Sequence, residues 1–248
     1  MAEYKFPTEM VDLPSKGYFY FEGHPLSSGK VEVKYMTAKE EDILTSQNLI
    51  QQGTVIDKLL ESLIVDKSIK LDDMLIGDKN AIMLSARILG YGKQYEFTYD
   101  GEEQSVDLST LEPLDIDFSK FPKGKNEFNF KLPTSEREVT FKLLTGKSEK
   151  DIDLEIKAKQ KISKTQSSEL TTRLKHMIIS VDGSSEKSYI NNFVDNEFLS
   201  RDSLAFRQYL ASITPDVDMN VEVVDSDGKK TEVAVPITVR FFWPSAWV

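Results

Sequence analysis

The chain predicts an α+β fold, and three observations carry that expectation. Apolar residues recur at helical spacing between residues 37 and 90. The same spacing returns between residues 146 and 213. Elsewhere the period drops to two, in paired short runs near 94–108, 128–143 and 219–239, each pair divided by turn residues.

Residues 1–30 read as irregular, punctuated by Pro7, Pro14, Gly17, Gly23, Pro25 and Gly29. Within them Leu13-Pro-Ser-Lys-Gly-Tyr-Phe-Tyr20 is a turn followed by an aromatic run. Val31, Val33 and Tyr35 alternate with Glu32 and Lys34, the pattern of a half-buried strand. Thr37 with Glu40 three residues on is a capping-box signature. It predicts a helix through Ile43, Leu44 and Ile50 to Gly53. Thr54, with Asp57 behind it, opens a second helix whose stripe is Val55, Ile56, Leu59, Leu60, Leu63 and Ile64. Asp78 is expected to cap a third helix, Ala81 to Leu89, ended by Gly90. That segment is apolar nearly all round, which predicts the buried centre of the fold.

Tyr95, Phe97 and Tyr99 lead into Asp100-Gly101, and Val106 and Leu108 lead out. Phe128, Phe130 and Leu132 answer Val139, Phe141 and Leu143 across a turn at Pro133–Ser135. Residues 146–213 return to helix, with a stripe of Leu170, Leu174, Met177, Ile178 and Val181. Tyr189, Ile190, Phe193 and Val194 suggest a short helix or turn, and Ser200 caps a last helix holding Leu204, Phe206, Leu210 and Ile213. Met219, Val221 and Val223 alternate, turn at Asp225-Ser-Asp-Gly228, and return through Val233, Val235, Ile237, Val239 and Phe241. The two Asp-Gly hairpins predict a division of the chain. Residues 1–93 form a strand and helical block, and 94–108 with 219–248 form a paired-hairpin module. Residues 109–218 are an inserted hairpin and helical segment.

At 248 residues the chain can bury a sizeable core without staples, and it contains no cysteine. Disulfides, thiolate metal sites and cysteine nucleophiles are thereby excluded. The N-terminus carries acids and a proline where a signal peptide needs an apolar core, and no run is long enough to span a bilayer. The expectation is a protein that neither crosses nor leaves through a membrane. Lys and Arg total 31 against 41 Asp and Glu, a net charge of −10. That balance opposes binding to nucleic-acid phosphates. The densest basic run, Lys157, Lys159, Lys161 and Lys164, follows Glu149, Asp151, Asp153 and Glu155, so it suits the C-terminal half of one helix.

Catalytic chemistry finds little purchase in these residues. His24 and His176, the only two histidines, have no clustered partners at ligand or triad spacing. Thr145-Gly-Lys-Ser148 resembles the tail of a phosphate loop, but Phe141 stands where its first glycine belongs. Acidic pairs such as Asp72-Asp73 read as solvated faces in so acidic a chain. The Asp225 turn lacks the glutamate of a calcium loop. The prediction is therefore no catalytic, cofactor or metal site. Both ends are aromatic, with Tyr18, Phe19 and Tyr20 near the start and Phe242, Trp243, Pro244 and Trp247 at the finish. Such residues are either core or anchors on a partner, and these seven are the predicted partner-binding set.

Leu13–Tyr20 and the run Val31-Glu-Val-Lys-Tyr-Met-Thr-Ala-Lys-Glu-Glu-Asp-Ile-Leu44 resemble the baseplate hub assembly proteins of T4-like contractile-tailed bacteriophages. The similarity continues through Gly53–Asp57, Asp72–Leu75, Gly77–Asn80 and Gly90–Gly92, and returns at Phe241-Phe-Trp-Pro244. It is densest over 13–92, resumes at 219–244 and is weak between. The resemblance implies a cysteine-free counterpart of a small zinc-ribbon-like module, because relatives carry Cys-x-x-Cys knuckles at the two turns that are Asp100–Glu103 and Asp225–Gly228 here. It further implies a structural or assembly protein of the baseplate hub, bound to other hub and tail proteins. Its place would be the virion tail baseplate, or the host cytoplasm during assembly. A transient assembly factor absent from the particle is the alternative. A lytic tail hydrolase using an acidic pair is a second alternative.

Overall fold

The computed structural model describes residues 7–162, 168–224, 228–237 and 239–242. Its first strand, β1 (Thr8–Asp12), pairs antiparallel with β2 (Lys30–Lys34), Met10 opposite Glu32. The irregular reading of residues 1–30 missed β1, because only Val11 of its five side chains is buried and no alternation shows. Between the strands Gly17 and Gly29 let two backbones touch. A Cβ on Gly17 would lie 2.5 Å from the Ser27 carbonyl, and one on Gly29 2.6 Å from Lys16.

The first predicted helix is two, α1 (Ala38–Thr45) and α2 (Gln47–Gln52), broken at an extended Ser46. Glu40 closes the capping box, its carboxylate accepting from the Thr37 N–H at 3.0 Å and the Thr37 hydroxyl at 2.6 Å. Helix α3 (Val55–Leu63) buries Val55, Leu59, Leu60 and Leu63, as its stripe predicts.

Helix α4 (Ile76–Tyr91) is the expected centre, with Ala81, Ile82, Met83, Leu84 and Ala86 all buried. Its ends differ from the prediction. Asp78 sits inside the first turn, since Leu75 already has the extended N-cap conformation, and Gly90 lies within the helix, which ends at Gly92 with a φ of 83°.

The hairpin β3 (Gln94–Tyr99) and β4 (Glu102–Asp107) turns on Asp100 and Gly101. Both turn residues have positive φ, 49° and 81°, as a two-residue hairpin of this twist requires. Strands β5 (Phe128–Lys131) and β6 (Glu138–Phe141) pair as predicted, and β7 (Ile178–Val181) joins them as a third strand. Phe128, Phe130, Val139 and Phe141 share the inner face. On the outer face the Thr140 hydroxyl donates to Asn129 at 2.9 Å.

Helix α5 (Gly146–Ile162) runs from acids to lysines as expected and packs beside α6 (Glu169–Met177). The helical reading of 169–181 fails at Ile178. A β-branched pair there completes the open edge of β6, and an irregularity between Thr140 and Phe141 lets Ile178 and Val181 both face the core. After α7 (Lys187–Asn192) comes a wide helical turn, Phe193–Glu197, and then α8 (Ser200–Ile213). Ser200 is the first helical residue, and Leu199 holds the cap conformation.

The last hairpin, β8 (Asn220–Val224) with β9 (Lys230–Ala234), leads to a short 3-10 turn, Val239–Phe242, where the alternation had predicted continued strand. A turn buries Phe241 and Phe242 together, which a strand could do only by covering both faces. The two Asp-Gly hairpins lie side by side but remain separate two-stranded sheets. The Gln104 side-chain amide donates to the Val224 carbonyl at 2.8 Å, and the Tyr95 hydroxyl to that of Pro236 at 3.1 Å. Residues 112–114 and 216–218 bond to each other, so the chain leaves and re-enters at one place. Buried side chains from the N-terminal block, the hairpins and residues 109–218 belong to one continuous core.

Candidate interaction surface

The aromatic run near the N-terminus is held from below by one carboxylate. Asp78 is buried, and its oxygens accept from the Ser15 N–H at 2.9 Å, the Ser15 hydroxyl at 2.7 Å and the Tyr20 hydroxyl at 2.6 Å. Tyr20 in turn accepts the Leu75 N–H at 2.9 Å. Burial pushes the Asp78 carboxyl above its ordinary range despite these donors, and burial followed by Asp78's proximity pushes the Tyr20 hydroxyl up. The Asp78 side chain is a fastening between loop and helix.

With the loop fastened, its rings take fixed places. Phe19 is buried against Phe118, Phe121 and Phe128, with centroids 5.6, 6.0 and 5.1 Å away. Tyr20 is buried and stacks on His24 at 5.1 Å, while Phe242 is buried against Phe241 at 5.3 Å. Of the predicted partner-binding residues these three have their rings packed within the chain. Tyr18 is half-buried, its hydroxyl donating to the Phe121 carbonyl at 2.9 Å. Trp243, Pro244 and Trp247 lie outside the described residues. Sequence reasoning passed over Phe21, which is 62% exposed beside the packed rings. Its neighbours in the aromatic run gave no way to tell which ring turns outward.

The histidines are accounted for locally. His24 Nδ1 accepts the Leu26 N–H at 3.1 Å, and His176 Nε2 lies 3.0 Å from Glu155. Gly146, in the phosphate-loop-like run, serves packing: a Cβ there would fall 2.1 Å from the Leu71 carbonyl oxygen. Among the described residues no three acids or histidines are grouped to hold a metal ion, and no helix is long and apolar enough to cross a membrane.

Other buried acids also tie elements together. Glu40 accepts from Lys34 at 2.8 Å and Ser62 at 2.7 Å in addition to Thr37. Burial opposes its charge, but these donors prevail and hold its carboxyl at about 2. Asp202, buried in α8, accepts the Thr134 and Ser135 N–H groups at 2.7 and 3.0 Å and so closes the β5–β6 turn. Arg137 reaches Asp182 at 2.8 Å, Glu197 and Tyr189, and lies 5.0 Å over the Phe193 ring. These contacts pin β6 to β7 and to the turn after α7.

No curated protein and no solved structure matches the chain. A family model does, the one described as T4 bacteriophage base plate protein, over residues 8–243. The match takes in the fastened aromatic loop, α4, the inserted segment and the final 3-10 turn alike. The chain therefore belongs to the T4 bacteriophage base plate protein family.

Proposed function

We propose that this protein is a non-enzymatic structural or assembly component of the baseplate hub and acts by binding other baseplate proteins. Membership of a baseplate family over nearly the whole chain is the observation that carries the reading. The way the buried carboxylates are used supports it. Asp78, Glu40 and Asp202 each accept hydrogen bonds from two or more groups of the chain's own loops and turns, as a rigid scaffold needs. Partner contact is assigned to the rim of the aromatic loop, where Tyr18 and Phe21 reach the surface over the packed Phe19 and Tyr20. Phe242 anchors the C-terminal run, from which Trp243, Pro244 and Trp247 would supply the second contact.

We further propose the division foreseen from the hairpins, with 94–108 and 219–248 as a cysteine-free, ribbon-like module and 109–218 inserted into it. The adjacent hairpins and the pinned exit at 112–114 and 216–218 support it. The experiment is mass spectrometry of purified particles and of infected-cell lysate from the same culture. A fixed copy number in the baseplate fraction makes the protein a resident hub component. Abundance in lysate with absence from particles makes it a transient assembly factor acting in the host cytoplasm. Absence from both, with the transcript present, would sink the reading.

A further inference from the structure

Among the described residues strand β1 is paired along one edge alone. Its bonds to β2 run through odd-numbered residues, as the Tyr35 N–H donates to Pro7 at 3.2 Å and the Leu13 N–H to Gly29 at 2.8 Å. In an antiparallel pair the residues between turn their backbone groups to the other side. The outward groups thus belong to Thr8, Met10 and Asp12, and among the described residues no strand pairs with them. Four successive residues, 9–12, border a groove of about 300 Å³. Side chains alternate between faces, so a run of four bordering one groove is what a groove along the strand's edge gives.

The far side of the groove and its charge say what would fit. Helix α4 lines it through Leu84, Ile88 and Leu89, and Pro113 and Val217 line it as well. Among the described residues Glu9 and Asp12 line it, and no lysine or arginine does. Beside Pro113, Glu112 and Asp115 are exposed and carry the same sign, while Asp117 is paired to Lys120 at 3.3 Å. Asp12 is paired to Lys30 at 3.0 Å, but both side chains are more than half exposed, so water screens that pair strongly.

We infer that this edge takes up an extended segment of a partner protein as an added strand, with apolar side chains seated on α4 and Lys or Arg alternating between them. Main-chain bonds to Met10 and Asp12 would supply affinity, and the acidic rim would select a basic strand over an acidic one. The inference rests on the protein-binding reading only in taking the occupant to be a protein.

The test is fluorescence anisotropy of the full chain with a labelled Lys-Val-Lys-Ile-Lys-Val peptide. Two controls accompany it, the same peptide N-methylated at alternate residues and a version with Glu in place of Lys. Met10→Pro removes an outward N–H at a position where an edge strand tolerates proline. Saturable binding is expected, weakened about tenfold by Met10→Pro and by N-methylation. Glu9→Lys combined with Asp12→Lys should reverse the preference toward the Glu peptide. No saturable uptake overturns the inference, as does uptake indifferent to N-methylation, a control that stands even if Met10→Pro fails to fold. Uptake seen only after removal of residues 243–248 assigns the groove to the chain's own terminus and overturns it too. Co-purification with baseplate proteins, read alongside, separates failure of this edge from failure of the baseplate reading.

Discussion

Tyr20 donates its hydroxyl to Asp78 at 2.6 Å while accepting the Leu75 N–H at 2.9 Å, so one phenol joins the N-terminal loop to the first turn of α4. Every aromatic contact of Phe19 depends on that loop standing where it does. Removing the Tyr20 hydroxyl leaves the Leu75 N–H buried without its acceptor, and Tyr20→Phe should cost about 2 kcal/mol. Asp78→Ala strips the acceptor from three donors and should cost about 3 kcal/mol or more. Urea unfolding midpoints check both. Equal, small shifts would mean that the loop is held by its rings alone.

Glu40 and Asp78 should pull the acid stability curve in opposite directions. The folded Glu40 carboxyl titrates at about 2 against an ordinary 4.5, so the unfolded chain binds the extra proton between those values. Its stabilisation is full above pH 4.5 and drains away as pH falls toward 2. Asp78 is raised in the folded state, so its contribution favours folding increasingly as pH falls through its folded value toward the unfolded one. Glu40→Gln should lower stability by about 2 kcal/mol at neutral pH and flatten the acid limb. An unchanged slope below pH 4.5 would contradict the assignment.

Two glycines of α4 should respond to alanine with opposite signs. A Cβ on Gly77 would lie 1.9 Å from the Pro215 carbonyl oxygen, and backbone cannot easily retreat. Gly77→Ala should therefore destabilise by about 2 kcal/mol or more. At Gly90 the obstacle is the Met36 Cε at 1.8 Å, the end of a flexible side chain. There the better helix propensity of alanine should leave Gly90→Ala neutral or up to about 1 kcal/mol more stable. Thermal melts of the two variants decide it.

Arg137→Lys should behave almost as badly as Arg137→Ala. The guanidinium reaches Asp182, Glu197 and Tyr189 from separate nitrogens while lying over Phe193, a geometry an ammonium cannot reproduce. Either change should cost about 1–2 kcal/mol and speed amide exchange in β7 before it does so in α4. Rescue by lysine would show that charge alone matters there.

Local periodicity carried much of the fold. The stripe of α3, the apolar girth of α4 and the alternation of β3–β6 each report which face of a single element meets the core, and the Asp100-Gly101 turn names its own geometry. Where a residue's fate depended on a distant neighbour, that reading went astray. Ile178 continues a helical stripe in sequence yet becomes strand, because β6 offers an unpaired edge beside it. Strand β1 shows no alternation because only β2 and α4 define its inner side. Asp78 looked like a cap and is instead a buried acceptor for residues 58 and 63 positions away.

The same division runs through the candidate surface. From the sequence alone came the class of fold, the absence of cysteine chemistry, the acidic balance and the resemblance to phage baseplate proteins. Only the tertiary structure decided that Phe19, Tyr20 and Phe242 face inward, that Phe21 faces outward, and that the acidic edge of β1 borders a groove shared with α4. Periodicity records the burial of one element against an average interior. Which of four neighbouring rings is covered, and which strand edge stays open, depends on the shapes that other elements bring to it.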